Sequence, residues 1–393
     1  AASADIWAGE TNRCSDLKDM SLFARGFACG PPLAQPCFDF GRCATTSGIY
    51  VYDANCSLLD SSKMLAANGT GLGQEKHDPH HFMGWVFRNA AREAGFLAET
   101  YESACMFMYV AAAGKKIDIA QNQWRNCPVH SPLWNSGANH VMVDFGDDGR
   151  EHRPEVADSF AMDASSNQHS CVYRSGYDVS LPLAPKKRFH ALAEIAPLDR
   201  AFFLTFKGTV YLTRHGSEER MSVVQLDDEE HGVVISVHCF EMHGEHLLPE
   251  NLEYCQSLKD RHSNYNDYTE LMDTTFGLVP AGRSPGTYRL AEVMSAGAIP
   301  VVVARDYVPP FPEHFDWPSF SFTFAPDEVG PYMMDVLRAV PQAQLEEMQR
   351  LSLEAYRGMF GDDDTLEGPR AFGPIAKYLI EILLRRIGHR GGR

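Results

Sequence analysis

The chain has 393 residues, 44% hydrophobic and 22% charged, with 35 basic against 52 acidic side chains and a net charge of −17. That length exceeds one ordinary core and suits two packed domains, and the composition excludes a disordered chain. The acidic balance excludes a general nucleic-acid or anionic-membrane surface, but an anionic ligand stays open wherever a local pocket supplies positive charge.

Ten cysteines are many for a reduced compartment, and five of them fall between Cys14 and Cys56. Two spacings look like disulfide loops, Cys37 with Cys43 and Cys239 with Cys255; neither has the paired spacing of a zinc site, so no metal is expected. Asn55-Cys-Ser and Asn68-Gly-Thr are glycosylation sequons, and with the cysteines they favour an oxidising lumen. The start, "AASADIWAGE", fits a processed N-terminus from which a signal or anchor has been removed. No apolar run is long enough to span a bilayer, so no transmembrane segment is expected.

In chain order, "SGIYVYD" alternates like a strand and "HHFMGWVFRNAAREAGF" has helical periodicity. "ACMFMYVAA" and "HVMVDFG" read as buried strands, and "DVSLPLAPKKR" reads as an extended, proline-bearing linker. The texture then changes to strand, loop and helix in alternation. "AFFLTFKG" is a strand, Ser217 caps a helix through "EERMSVVQL", "GVVISVHCF" is a buried strand and "DYTELMDT" a short helix. Strands at Phe276–Pro280 and Ile299–Val303 flank a helix from about Thr287 to Ala296, with Gly297 where a left-handed C-cap is wanted. Helices in "PQAQLEEMQRLSLEAYRGMF" and "PIAKYLIEILLRRIGHR" close the chain. Repeated strand–helix–strand units predict an α/β fold with parallel sheets. The expected domains are residues 1–190, with a disulfide-rich start, and residues 191–393, with the closing helices.

Ligands of open parallel sheets bind beyond the carboxyl ends of the strands. One such end carries Lys207, Gly208, Ser217 and Arg220; another carries Gly282, Arg283, Gly286, Thr287, Arg289 and Glu292. Glycines admit an anion to the backbone, a helix N-terminus presents free N–H groups, and arginine pairs with phosphate oxygens. Together these make a nucleotide-diphosphate cradle, with Glu292 placed for ribose hydroxyls. The competing interpretation is a plain turn with an Arg289–Glu292 surface pair at i,i+3. Two further groupings weigh less: His77, His80 and His81 in "HDPHHF", and the acidic turn Asp362–Asp364, both more economically solvated than metal-binding.

The segment "TTFGLVPAGRSPGTYRLAEVMSAGAIPVVV" resembles the signature of exostosin-type glycosyltransferases, close to "FxLvPRGrxxgSyRlxEalxaGciPVvl". The continuation "PF…W" at Pro310, Phe311 and Trp317 matches in kind. "CFDFGRC", "ESACMF", "PLWNSGANH", "YDVSLPL" and "FKGTVYLT…GSEER" resemble further landmarks in the family's order, so the resemblance runs from Pro36 to Leu366. It implies a GT-B architecture, two facing Rossmann-like domains with C-terminal helices, and inverting transfer from a UDP-sugar without a tightly bound cofactor or metal. The branch it most resembles transfers glucuronic acid, and the Cys239 and Cys255 positions fit that branch. The implied acceptor is a glycan or glycoprotein, the implied compartment the Golgi or ER lumen, and the implied assembly a homo- or hetero-oligomer. Carried over by residue, Lys207, Ser217, Arg220, Arg283 and Arg289 would neutralise the diphosphate, and Gly282, Gly286 and Thr287 would shape its cradle. His140, with Asp144 on the same strand face, is the candidate base. Where the family pattern reads Pro-Arg-Gly this chain has Pro280-Ala281-Gly282, one cation fewer. That departure keeps a second reading, a catalytically degenerate scaffold or binding subunit.

Overall fold

The computed structural model describes residues 38–52, 79–110, 133–145, 159–211, 217–240, 257, 265, 268–282, 285–362 and 368–388. Two compact units divide the chain: Ala1–Leu181 together with Leu366–Arg393, and Pro182–Thr365. The last helix therefore packs in the first unit, whereas sequence order groups it with the second half.

In the first unit, strands β1 (Gly48–Val51), β2 (Ala104–Val110), β3 (His140–Asp144), β4 (Met162–Ser165) and β5 (Val179–Ser180) form one parallel sheet in sequential order. Every residue of β2 and β3 is buried, which is why both read as near-continuous apolar runs: helices and loops cover both faces of a parallel sheet. Helix α1 (Phe40–Thr45) is capped by the Asp39 carboxylate, which accepts from the Gly41 and Arg42 amides. Cys43 at its end is disulfide-bonded to Cys105, 62 residues away on β2. This corrects the expected Cys37–Cys43 pairing: the Asn139 side chain accepts from the Asp39 amide at 2.7 Å and donates to the Cys105 carbonyl at 2.9 Å. Those bonds hold α1 against β2. Cys239 is also disulfide-bonded, whereas Cys37, Cys255, Asn55 and Asn68 lie outside the described residues.

Helix α2 (Pro79–Glu93) packs on the closing helix, Gly373–Gly388. One link between them is the ion pair of Lys377 with Glu93 at 2.7 Å. The Arg386 guanidinium of that closing helix donates to the Tyr177 and Asp178 carbonyls at 2.5 and 3.2 Å, fixing it beside β5.

In the second unit, β6 (Phe202–Tyr211), β7 (Val233–Phe240), β8 (Thr274–Pro280), β9 (Ile299–Val303) and β10 (Phe322–Phe324) form a parallel sheet of order β10-β9-β8-β6-β7. The chain runs from β6 to its neighbour β7, then returns to the other side of β6 with β8. The strand order reverses between β6 and β8, the kind of crevice where open α/β sheets bind ligands. Helices α3 (Ser217–Val224), α4 (Tyr288–Ser295), α5 (Pro331–Arg338) and α6 (Gln342–Phe360) belong to this unit, and α7 (Gly373–Gly388) to the first. β4, β10 and α5 have no counterpart in the sequence reading, and "DYTELMDT" forms only a short 3-10 turn at Glu270–Met272.

Helix α4 is the element nearest that crevice. Thr287 caps it, its hydroxyl accepting from the Arg289 amide at 3.3 Å, a contribution of about 1 kcal/mol. The seven residues from Arg289 to Ser295 are all buried. Gly277 of β8 lets α4 sit close, since a Cβ there would lie 2.5 Å from Val293. Gly297 ends the helix at φ +68°, the left-handed cap expected from its position.

Candidate functional site

The β6–β8 crevice opens where these two strands stop pairing, although β6 itself runs on to Tyr211, past the Lys207-Gly208 end expected from the sequence. β6 pairs with β8 as far as Thr205–Gly277, so Lys207 to Thr209 and Pro280 to Gly282 follow at the same carboxyl edge. Arg220 of α3 bridges them. Its Nη1 donates to the Thr209 carbonyl at 2.6 Å and its Nε to the Ala281 carbonyl at 3.2 Å. A Cβ on Gly282 would lie 2.8 Å from Arg220 Nη2, so the glycine is what lets this arginine approach the backbone.

Arg289 lies across the crevice floor, 8% exposed. Its guanidinium carbon is 4.4 Å from the Tyr268 ring centre and 5.3 Å from that of Phe206, and its Nη2 donates to the Lys207 carbonyl. Lys207 Nζ donates in turn to the Tyr265 carbonyl. Glu292, one turn on from Arg289, is buried and accepts from the Tyr268 hydroxyl at 2.5 Å. The i,i+3 pair anticipated as the plain alternative does not form: among the described residues Arg289 has no ion pair with Glu292, and the tyrosine takes the carboxylate instead. Burial raises the Tyr268 pKa, the Glu292 charge and hydrogen bond reinforce that, and the Arg289 charge opposes it. Tyr268 therefore remains a hydrogen-bond donor at neutral pH.

His238 of β7 pairs with Thr209 of β6 beside this group, its Nε2 3.3 Å from the Thr209 hydroxyl. Burial lowers its pKa, the Lys207 and Arg220 charges add to the effect, and a bond with the Gly208 backbone opposes it. Gly208 lies on β6 between Lys207 and Thr209, and Gly286 and Thr287 lead into α4. Ser217 opens α3, but its side chain and the whole of Arg283 lie outside the described residues.

The structure thus brings Lys207, Arg220, Gly282, Arg289 and Glu292 to one edge. Sequence reasoning missed Phe206, Tyr268 and His238, which hold and orient them. Tyr268 falls at the start of "DYTELMDT", the segment read as a short helix, where nothing singled it out.

His140 of the first unit is placed differently. It is 0% exposed, its Nε2 lies 3.1 Å from the Tyr52 hydroxyl and its Nδ1 3.0 Å from the Ala138 carbonyl. Phe107 and Trp134 close over the ring, each with centroids 4.8 Å away. Burial pushes its pKa down to about 4, the Arg42 charge adds to the fall, and the Ala138 bond resists it. An imidazole enclosed in this way is packed as a core residue. It shares a strand face with Asp144, and in a sheet covered on both sides that face is buried along its whole length. Asp144 stands at the carboxyl end of β3 and is 4% exposed.

The depressed value has a consequence for stability. Above pH 6.5 neither state protonates this histidine. As pH falls from 6.5 toward about 4 the unfolded chain takes up a proton that the folded one excludes. The stability present above pH 6.5 is therefore lost through that window, by up to about 3 kcal/mol. Urea unfolding of wild type and His140→Phe at pH 7 and pH 4.5 should show a smaller acid loss in the variant; equal losses would contradict this account.

Among the described residues no cluster of His, Cys, Asp or Glu could hold a metal ion, and no helix is long and apolar enough to cross a membrane. His77 lies outside those residues, as do the side chains of His80 and His81.

The Exostosin GT47 domain profile matches residues 45–340. The chain is 25% identical over 341 residues to Exostosin-1 of Drosophila melanogaster, covering 83% of this chain but 42% of that protein. It is 22% identical over 372 residues to the Exostosin-1 homolog of Caenorhabditis elegans, covering 90% of this chain and 89% of the relative. The chain thus spans less than half of the fly protein. Among solved structures, a glycosyltransferase from Rickettsia africae superposes with a TM-score of 0.37 at 8% identity, covering 84% of this chain and 88% of that one. MurG of Acinetobacter baumannii gives a TM-score of 0.31 at 12% identity, covering 75% and 84%.

Proposed function

The chain belongs to the exostosin GT47 family of glycosyltransferases, and from that premise we propose that it is an inverting enzyme moving a sugar from a UDP-sugar donor to a glycan acceptor. Glucuronic acid is the sugar used by the branch its motifs resemble. The observation that carries the proposal is the switch-point crevice of the second unit, where Lys207, Arg220 and Arg289 gather at the strand ends beside α4.

Departure of UDP leaves negative charge on the diphosphate, and fixed cations at that point lower the barrier because they need no reorganisation as the bond breaks. Lys207 and Arg289 would face that charge, with Arg283 and Ser217 on the adjoining loops. Gly208, Gly282, Gly286 and Thr287 would form the close backbone cradle. Arg220, locked to two carbonyls, positions the β6 and β8 ends. Glu292, oriented by Tyr268, would accept from the ribose hydroxyls. The Cys43–Cys105 disulfide and the family support a secretory-pathway lumen, Golgi or ER, as the compartment.

A specific observation favours a second reading. Ala281 is 3% exposed where the family pattern has arginine, and both Lys207 and Arg289 already donate to backbone carbonyls. A scaffold subunit that kept the fold and lost transfer would look like this. Purified protein should gain several degrees of thermal stability with UDP at a hundredfold excess over Kd and release UDP slowly from a UDP-sugar. Stabilisation without turnover on any glycan acceptor would select the scaffold; no stabilisation would remove the nucleotide site.

A further inference from the structure

The segment entering the second unit, "APKKRF", reads as a linker, yet it is docked on α4. The Phe189 amide donates to the Ser295 hydroxyl at 3.1 Å, and the Phe189 ring lies 5.5 Å from that of Tyr268. The basic residues just before it follow the same path. Lys186 Nζ stands 4.1 Å from the ring centre of Tyr288, the first residue of α4, and Lys187 Nζ 5.6 Å from that of Tyr268. Arg289 occupies the same Tyr268 ring at 4.4 Å. Between Lys187 and Phe189, both terminal nitrogens of Arg188 are buried without a hydrogen-bond partner.

Three cations therefore share two tyrosine rings at the positive end of a helix, and a fourth is the next residue along. Among the described residues none of Lys186, Lys187, Arg188 and Arg289 forms an ion pair. Ring stacking holds an ammonium in place without neutralising it. Buried guanidinium N–H groups left unbonded are costly. The helix dipole adds to the repulsion. The Glu292 carboxylate on the Tyr268 hydroxyl offsets one of these four cations, and in a chain of net charge −17 the group left over is a net positive cluster suited to an anion.

We infer that Lys186, Lys187 and Arg188 form an anion-binding strip that, with Arg289, receives the charged oxygens of a nucleoside-diphosphate sugar. The strip supplies the positive charge that Ala281 does not. This rests on the nucleotide-sugar reading of the same crevice and adds its missing cations. The anionic oxygens belong to the diphosphate or to the carboxylate of an acidic sugar, and the ligands of the test separate the two.

The test is calorimetric titration of the full chain, wild type and the Lys186→Gln/Lys187→Gln/Arg188→Gln variant, with uridine, UDP, UDP-glucose and UDP-glucuronate. The variant should bind UDP about tenfold more weakly or worse, bind uridine as the wild type does, and lose part of the salt dependence. Lys186→Arg/Lys187→Arg should retain UDP binding. A loss confined to UDP-glucuronate supports the strip with the sugar carboxylate as its ligand. Wild-type affinity for all four ligands in the glutamine variant overturns the strip alone. Failure of wild type to bind UDP overturns the nucleotide-sugar reading and the strip with it. Should the triple variant not fold, Lys186→Gln/Lys187→Gln, confined to two exposed side chains, carries the same expectations.

Discussion

Arg289→Ala should weaken UDP binding at least tenfold and reduce sugar transfer by a factor of about a hundred or more. The side chain is buried at the crevice floor between Phe206 and Tyr268, so its removal deletes a preorganised cation and leaves a void under two rings. One Nη2 hydrogen bond goes to the Lys207 carbonyl; the remaining N–H groups of the fork are the ones available to an anion. Arg289→Lys separates charge from shape. A lysine keeps the charge but neither spans two rings nor forks, so it should restore only a small part of the binding. Titration with UDP and a UDP-release assay measure both quantities, and urea unfolding reports the packing loss separately. Wild-type UDP affinity in Arg289→Ala would remove this arginine from the donor site.

That arginine was legible in the sequence because the features that place it are local. An apolar run, a glycine-rich loop and an amphipathic stretch ending at Gly297 specify strand, turn and helix without reference to the rest of the chain. What the helix meets is not local. Tyr268 reaches Glu292 from a connection 24 residues earlier, and Lys186 and Lys187 reach α4 from a stretch whose prolines read as a linker. The expected Cys37–Cys43 pairing failed for the same reason: Cys37 is near Cys43 in sequence, but β2 is what α1 packs on, and Cys105 is on β2. β4 escaped detection because "MDAS" is half polar. Its Asp163 is 1% exposed, and a strand that buries polar groups lacks the apolar pattern by which strands are found. His140 shows what residue type and spacing leave out. Its type and spacing suit a base, but only packing reveals that aromatic rings enclose it.

Asp178→Ala should destabilise the first unit by about 3–5 kcal/mol, enough to unfold a marginal domain. Asp178 is 0% exposed and Arg174 6%. The carboxylate accepts from Arg174 Nε at 2.9 Å and Nη2 at 2.6 Å, and from the backbone amides of Asp163 at 2.8 Å and Arg174 at 3.0 Å. Burial pulls the Arg174 pKa down, but the Asp178 charge and hydrogen bonds outweigh it and leave the value raised. Removing the carboxylate strands a buried guanidinium whose remaining bond is to the Ala161 carbonyl, and orphans two amides at the β4–β5 junction. Asp178→Asn should cost less, since its amide oxygen still accepts from one partner. The double variant Arg174→Met/Asp178→Leu, which removes both charges at similar volume, should be more stable than Asp178→Ala. Urea unfolding of the three variants orders them. If Asp178→Ala and the double variant lose equally, the damage is to packing and amide bonding, and the stranded charge is not its cause.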